Sequence, residues 1–239
     1  MHALTVDNAV KSYGEVQAVN GASFSVEEGE IFGLIGPNGA GKTTMLRMIC
    51  TLLQVTSGKI TVCGYDVTAQ SDDVRRMISY LPEDAGAYKD LTGRAYLRFM
   101  AGFFADGREF EEMVDKGVRI ANLGDRIDTK VDTYSKGMMR RLLIARAIMP
   151  SPRVAVMDEV TSGLDVVNAY EIREMIREIA GAGVTVILSS HNMFEVERLC
   201  HRVAMIDKGE IVLIGTPSEL KERYDAGNLE EVFVKAVRP

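Results

Sequence analysis

The stretch Gly36-Pro37-Asn38-Gly39-Ala40-Gly41-Lys42-Thr43-Thr44 has residue types and spacing suited to binding a phosphate chain. It fits the pattern G-x-x-x-x-G-K-[ST], in which glycines let several backbone N–H groups point at one centre. A helix that begins directly after the loop adds the positive end of its dipole. We expect Lys42 to reach the β- and γ-phosphates and the Thr43 hydroxyl to ligate Mg²⁺. The alternative is a glycine-rich turn that matches by chance.

The segments on either side of this loop favour the phosphate-binding interpretation. Residues 30–35 form an apolar run typical of a buried strand. Apolar residues then recur at helical spacing after the loop: Met45, Leu46, Met48, Ile49, Leu52 and Leu53. Strand, glycine loop and helix in this order are the context that the motif requires, so the sequence predicts a nucleotide site.

A second group of chemically capable residues follows the apolar run Val154–Met157, which we predict to be a strand. Asp158 offers the hard oxygen ligand that Mg²⁺ prefers. Glu159 can face the other side of the site, where it would act as the catalytic base or orient the attacking water. The alternative is that the paired acids only cap the next turn.

The elements that must position these residues alternate between strand and helix. Residues 3–35 are rich in strand patterns, and strands and helices alternate again from residue 153 onward. Residues 84–149 instead carry amphipathic helical patterns, including 94–104 and 110–123, between hinges at Pro82 and 150–152. The sequence therefore predicts an α/β fold with a parallel core sheet, helices on its faces, and a helical insert.

Composition restricts the class of protein. The 239 residues carry a net charge of −6, which argues against a nucleic-acid partner because such proteins present a basic face. The longest apolar runs are too short to span a bilayer, and the first residues lack the pattern of a signal peptide. Cys50, Cys63 and Cys200 are scattered, and we expect three buried free thiols in a reducing compartment.

Further motifs complete a recognisable set. Tyr134-Ser135-Lys136-Gly137-Met138 opens a helix, Thr161-Ser162-Gly163-Leu164-Asp165 follows Glu159, and His191 ends the strand after that. Together with the glycine loop and Asp158-Glu159, this order resembles the ATP-binding subunit of ABC transporters over essentially the whole chain. The resemblance implies a P-loop NTPase fold with a mostly parallel core sheet and an N-terminal antiparallel β subdomain. Residues 1–239 would form one ABC ATPase domain, with a RecA-like core (1–83 and 150–239) and a helical subdomain (84–149).

The resemblance also implies roles for single residues. Tyr13 matches the aromatic residue that stacks on adenine, although a lone exposed Tyr in a turn is the simpler alternative. Ser135, Lys136 and Gly137 occupy the signature motif, which closes over the γ-phosphate bound by a second chain, so that two chains sandwich two ATP molecules. Asp165 matches the acid that communicates across this dimer, and His191 matches the histidine that holds the γ-phosphate and the attacking water. The implied catalytic residues are Lys42, Glu159 and His191.

The sequence departs from the family pattern in several places. Glu83 stands where a Gln is usual; its carboxylate can still contact Mg²⁺ and water but cannot donate as an amide does. Lys136 replaces a glycine, and it either adds a cation near the γ-phosphate or is solvated at the helix start. Met138 replaces a glutamine, and Val160 stands where proline is usual.

The function implied is ATP hydrolysis, with ATP and Mg²⁺, that drives a separate permease through dimer closure and reopening. Glu83, residues 136–138 and residues 228–233 resemble ATPases of sodium-extrusion and drug-resistance exporters. We expect a cytoplasmic chain on the inner face of the membrane, held there only by a permease docked beside Glu83 and Tyr88. The alternatives are a soluble ABC-type ATPase without a permease and a nucleotide-dependent regulatory module.

Overall fold

Two β-sheets and the helices around them organise the computed structural model, which describes residues 1–237. In chain order its strands and helices are β1 (His2–Tyr13), β2 (Val16–Glu27), β3 (Ile31–Ile35), α1 (Lys42–Ile49), β4 (Ser57–Val62), β5 (Tyr65–Asp66), α2 (Ser71–Met77), β6 (Ile78–Leu81), α3 (Gly93–Ala101), α4 (Gly107–Ala121), α5 (Lys136–Ile148), β7 (Val154–Asp158), α6 (Val166–Gly181), β8 (Thr185–Ser190), α7 (Met193–Leu199), β9 (Arg202–Asp207), β10 (Glu210–Gly215), α8 (Pro217–Arg223) and α9 (Leu229–Val237). Two short 3-10 helices, Gly124–Asp128 and Val131–Thr133, precede α5.

The first sheet is antiparallel and contains the N-terminal strands in the order β2-β1-β4-β5. Side chains along its strands alternate between the two faces of the sheet. In β2, for example, Ala22, Phe24 and Val26 are buried, whereas Ser23 is exposed. This alternation is typical of a sheet that packs one face on a core. The predicted strand-rich start and antiparallel β subdomain are confirmed.

The second sheet has six strands in the order β10-β9-β3-β8-β7-β6. Four of its neighbouring pairs are parallel, and only β10 runs antiparallel, to β9. All residues of β3, β7 and β8 are buried, as expected of strands covered by helices on both faces. The predicted mostly parallel core sheet is confirmed.

This topology positions the candidate site. Strands β3, β8 and β7 are adjacent and parallel, so their carboxyl ends meet at one edge of the sheet. The glycine loop follows β3, Glu159 follows β7, and His191 follows β8. Residues far apart in sequence therefore converge at the edge where open α/β sheets bind their ligands.

The chain between β6 and β7 contains α3, α4 and α5 and the two 3-10 helices. Leu97 and Ala101 of α3 pack with Val114 and Ala121 of α4 in the same hydrophobic core as α5. The predicted helical insert is therefore present. Among the helices within residues 1–237, none has both the length and the apolar character that crossing a bilayer requires.

The predicted ends of three helices are wrong, and one of these helices is α4, which ends at Ala121, before the left-handed Asn122 (φ 47°), and not at residue 123. Helix α1 ends at Ile49 because Thr51 adopts a left-handed backbone (φ 60°) and the N–H groups of Leu52 and Leu53 both return to the Arg47 carbonyl. Leu52 is consequently 58% exposed. Helix α3 ends at Ala101, so Phe104 lies outside it and is exposed.

The prediction of three buried thiols is also wrong in one case. Cys50 and Cys200 are buried, whereas Cys63 is only partly buried. The reason is its position at the turn between β4 and β5, where its backbone is left-handed (φ 49°). In this turn the side chain still packs against the hydrophobic core on one side and remains partly exposed.

Candidate functional site

The glycine loop between β3 and α1 has a backbone that other residues would disturb. Gly39 and Gly41 adopt left-handed φ values of 81° and 106°. A Cβ atom on Gly36 would collide with the Ile206 carbonyl, and one on Gly41 with the Ala18 carbonyl. The loop therefore needs glycine both for its curvature and for its close approach to neighbouring backbone. This curved loop at the start of α1 is the geometry expected of a phosphate cradle.

The Lys42 side chain is buried and lies against this loop. Its Nζ donates to the carbonyl oxygens of Gly36 at 2.8 Å and Pro37 at 3.1 Å. The same Nζ lies 3.8 Å from Oε1 of Glu159. A buried ammonium group is costly unless it is paired, and these contacts supply its partners. The positive charge is thus held between the glycine loop and the acid that follows β7.

Asp158 is the centre of a hydroxyl cluster. Its Oδ2 accepts from the Thr43 hydroxyl at 2.9 Å and from the Tyr80 hydroxyl at 3.5 Å, and its Oδ1 accepts from the Ser189 hydroxyl. Burial, together with the negative charge of Asp158, raises the pKa of Tyr80 to about 12, so its hydroxyl stays a donor. The carboxylate and the Thr43 hydroxyl form the oxygen pair that the sequence predicts as Mg²⁺ ligands.

Glu159 and His191 form a direct pair. Oε2 of Glu159 lies 2.9 Å from Nδ1 of His191. The Glu159 side chain is 8% exposed, whereas that of His191 is 50% exposed. Glu159 adopts a left-handed backbone (φ 48°), and its N–H donates to both the carbonyl and the hydroxyl of Ser189 at 3.2 Å. A non-glycine residue in this conformation is uncommon, and here it turns the carboxylate toward Lys42 and His191.

A cavity of about 460 Å³ borders His191 and the start of the glycine loop. Gly36, Pro37 and His191 line it together with Phe194 and Phe233. Its position at the carboxyl ends of β3 and β8 leaves the glycine loop and His191 accessible together.

The predicted signature residues lie at a second place, the start of α5. The Ser135 hydroxyl caps this helix by accepting from the Met138 N–H at 3.2 Å. Lys136 is exposed and Gly137 is buried. The helix therefore presents its positive dipole end beside a serine hydroxyl, as an anion site requires.

Glu83 lies with this second group. It lines a cavity of about 360 Å³ together with Ser135, Lys136 and Arg140. Its carbonyl oxygen accepts from the Arg140 guanidinium at 3.4 Å. Within residues 1–237 no hydrogen bond joins Glu83 to Thr43 or Asp158. Its assignment as a Mg²⁺ contact remains a prediction.

Asp165 and Tyr13 complete the predicted residues. Asp165 caps α6 by accepting from the N–H groups of Val167 and Asn168, each at 3.0 Å, and the hydrogen bond from Asn168 lowers the pKa of its carboxyl. Tyr13 ends β1 and is 49% exposed, with the Lys11 Nζ 5.0 Å from its ring centroid. The exposed ring is available for stacking on a flat base.

Some residues of the site escaped the sequence reasoning. Ser189 and Tyr80 both donate to Asp158, and Ser189 also holds the backbone of Glu159. The available signal was a polar residue directly after the apolar run of β8, since Ser189 follows Leu188 and is fully buried.

Arg173 is buried, and it forms a cluster with the partly buried side chains of Thr161 and Glu195. Glu195 accepts from the Thr161 hydroxyl and from the Arg173 guanidinium, the latter at 3.3 Å. These three side chains connect the segment after Glu159 to α6 and to the helix that follows His191.

Comparison with known proteins identifies a family and relatives of this chain. A family model described as ABC transporter matches residues 19–162. The linearmycin resistance ATP-binding protein LnrL of Bacillus subtilis is 36% identical over 98% of this chain and 76% of its own length. The Nod factor export ATP-binding protein I of Paraburkholderia xenovorans is 39% identical over 97% of this chain and 76% of its own length. A solved structure titled ATP binding subunit of ABC transporter superimposes with a TM-score of 0.86 at 27% identity, covering 99% of this chain and 100% of that one.

Proposed function

This chain belongs to the ABC transporter family and is an ATP-binding, ATP-hydrolysing subunit; on that basis we propose that two copies close on ATP and drive a separate transmembrane permease. The observation that carries the proposal is the Glu159 carboxylate. It is buried beside the glycine loop, 3.8 Å from the Lys42 ammonium and 2.9 Å from the His191 imidazole. An acid held between these groups is arranged to activate a water at the end of a phosphate chain.

We assign the chemistry to these residues as follows. Glu159 accepts a proton from the attacking water, whose oxygen forms a bond to the γ-phosphorus. The bond from that phosphorus to the bridging oxygen breaks, and ADP and phosphate leave. Lys42 offsets negative charge on the phosphates, and His191 positions both Glu159 and the γ-phosphate.

The residues present also fit a magnesium ion. The Thr43 hydroxyl and the Asp158 carboxylate are hard oxygen donors that lie 2.9 Å apart. Mg²⁺ bound there would neutralise charge on the β- and γ-phosphates. The Ser189 hydroxyl fixes the second oxygen of Asp158 and so orients the carboxylate toward Thr43.

The proposed dimer uses the second group of residues. Ser135, Lys136 and Gly137 would meet the γ-phosphate bound by the partner chain, and Asp165 would face the same interface. We propose that residues 84–149 move as a helical lobe on a core made of 1–83 and 150–239. Glu83 lies at this junction and contacts the lobe through Arg140, which supports a role for it in coupling nucleotide to lobe position.

An exposed aromatic surface on the lobe supports a protein partner. The rings of Tyr88, Phe99 and Phe103 contact one another edge to face, with centroids 5.3 Å apart in both pairs. These residues are 57%, 47% and 68% exposed. Adjoining exposed aromatic rings mark interaction sites on proteins. We propose that the permease docks on this surface, next to Tyr88 and near Glu83.

The descriptions of two relatives suggest the direction of transport. Two of the relatives are described as resistance and export ATP-binding proteins, and we propose that this chain serves an exporter too. In that role the chain would lie in the cytoplasm on the inner face of the membrane and be held there by its permease.

The test is size-exclusion chromatography of the Glu159→Gln variant with and without ATP and Mg²⁺. The amide keeps the shape of the side chain but cannot accept the proton, so we expect ATP to accumulate in a closed dimer. The wild-type chain, which turns ATP over, should dimerise only transiently. An ATPase that works as a monomer would favour the soluble-ATPase alternative. Binding of ATP without hydrolysis by the wild type would favour the regulatory module.

A further inference from the structure

The start of α5 packs directly on the start of α6. Gly137, on the first turn of α5, is buried against the side chain of Asn168. A Cβ atom on Gly137 would overlap Oδ1 and Cγ of Asn168. Residue 137 is therefore glycine for a reason inside this chain, independent of any nucleotide.

The Asn168 side chain cannot swing away without losing a bond. Its Nδ2 donates to Oδ2 of Asp165, and its backbone N–H donates to the other carboxylate oxygen at 3.0 Å. Asn168 thus fills the space above Gly137 with one end of its amide and holds the Asp165 carboxylate with the other. A residue with a side chain at position 137 would have to break this arrangement.

A second contact joins the same two segments. The Nζ of Lys136 lies 3.6 Å from the position that a Cβ atom on Gly163 would occupy. Lys136 therefore extends over the turn that leads from Glu159 to Asp165. Two neighbouring residues at the start of α5 therefore lie next to residues 163–168, Gly137 against Asn168 and Lys136 beside Gly163.

We propose that Asn168 is a positioning residue that couples residues 135–137 to Asp165, so that the two segments move as one unit. The inference rests on the proposed function, in which both segments face the partner chain. The structure gives Asn168 contacts with Gly137 and Asp165, and we assign it no contact with nucleotide or reacting atoms. It transmits the position of the signature residues to Asp165 within one chain.

A double-mutant cycle tests this coupling through the ATPase rate. We expect Gly137→Ala to lower kcat about tenfold in the wild-type background, because the new methyl group displaces Asn168. We expect Asn168→Ala to lower kcat about three- to tenfold. In that Asn168→Ala background, adding Gly137→Ala should lower kcat by less than about a further twofold. Removing Oδ1 and Cγ leaves only an approach of 3.1 Å to the Asn168 Cβ, which a small shift relieves.

The cycle has readouts that separate positioning from folding. The affinity of the isolated chain for ATP should stay within about twofold in every variant, because the glycine loop lies on another segment. The matched control is Gly181→Ala at the end of α6, where an added Cβ meets nothing within 4 Å. This control should leave kcat unchanged.

Each outcome decides between explanations. An equal cost of Gly137→Ala in both backgrounds would overturn the proposal and mean that Gly137 acts by its own contact with nucleotide. The two substitutions could instead be non-additive in the urea unfolding midpoint and additive in kcat. The contact would then serve stability alone, and the proposal would be overturned. A wild-type chain without ATPase activity would remove the proposed function itself, and the unfolding midpoints would still report whether the contact exists.

Discussion

Oε2 of Glu159 lies 2.9 Å from Nδ1 of His191, and each residue follows the end of one of two neighbouring parallel strands. The register of β7 and β8 pairs Asp158 with Ser189, which brings the segments after both strands together. The acid and the imidazole are therefore assembled by the sheet and not by a flexible loop. Residues that directly follow adjacent paired strands can hold the short distances that proton transfer requires.

Replacing His191 with Ala should lower kcat by about a hundredfold, in the range usual for groups that assist proton transfer. The loss follows because Glu159 would keep only the Lys42 contact and could turn away from the reacting water. ATP affinity should change little, since the glycine loop stays intact. His2→Ala, an exposed histidine at the start of β1, is the control. Steady-state ATPase assays check this, and an active His191→Ala variant would contradict the assigned role.

Replacing Lys42 with Ala should weaken ATP binding at least tenfold, because hydrogen bonds to charged groups contribute about 1.5–3 kcal/mol. The ammonium is buried and already directed at the carbonyls of Gly36 and Pro37, so its loss also relaxes the loop. Calorimetric titration with ATP measures the change. Lys59→Ala, an exposed lysine on β4, should bind as the wild type does. Unaltered ATP affinity in the Lys42 variant would refute the phosphate-cradle assignment.

Replacing Thr43 with Ala should raise the Mg²⁺ concentration for half-maximal ATPase activity about tenfold, a magnitude typical of altered metal sites. The variant removes the hydroxyl that pairs with Oδ2 of Asp158. Thr43→Ser keeps the hydroxyl and should need nearly as little Mg²⁺ as the wild type. ATPase rates measured at a series of Mg²⁺ concentrations distinguish Thr43→Ala from Thr43→Ser. The same half-maximal Mg²⁺ concentration in both variants would argue against Thr43 as a ligand.

Replacing Glu195 with Ala should lower the free energy of unfolding by about 3–5 kcal/mol, because it leaves the buried guanidinium of Arg173 without its ion-pair partner. The side chains of Arg173 and Glu195 are only 10% and 19% exposed. The exposed pair between Arg108 and Glu112 offers the control, where Glu112→Ala should cost less than about 1 kcal/mol. Urea unfolding of both variants tests the difference.

The double variant Arg173→Met/Glu195→Leu should recover most of that stability, since it leaves no unpaired charge. Its unfolding midpoint should lie closer to the wild type than that of Glu195→Ala. A double variant less stable than the single one would mean that packing, and not the stranded charge, determines the loss.

The buried thiols predict an alkaline loss of stability. Burial raises the pKa of Cys50 and of Cys200 well above the ordinary value of 9.0. The unfolded chain therefore releases these protons near pH 9.0, while the folded chain keeps them. The contribution of the two thiols to the free energy of unfolding is thus complete below that pH and falls as the pH rises. The slope is up to about 1.4 kcal/mol per pH unit for each thiol. Cys200→Ala should flatten the decline measured by urea unfolding, and an unchanged slope would disagree with this assignment.

The same burial predicts the order in which the thiols react. Cys63, which is only partly buried, should be the first of the three to react with a thiol-specific reagent in the folded chain. Cys50 and Cys200 should react at the rate of unfolding. Fast labelling of Cys200 in native buffer would contradict the packing around it.

Local sequence determined much of this protein. The glycine loop, the apolar strands and the two acids at the end of β7 are each encoded by a few consecutive residues, because the backbone conformation and burial of one strand depend mainly on near neighbours. Parallel strands that alternate with helices place their carboxyl ends at one edge. The meeting of Lys42, Glu159 and His191 therefore followed from motif order.

Tertiary structure alone decided the contacts that cross between segments. Tyr80 and Ser189 reach Asp158 because of the register of β6, β7 and β8, and Asn168 fills the space above Gly137 because α5 packs on α6. Likewise, α1 stops at Ile49, where Thr51 takes a left-handed turn although the apolar spacing continues to Leu53. Register and packing depend on pairs of residues far apart in the chain, and the spacing within one segment carries no information about which distant side chain will lie against it.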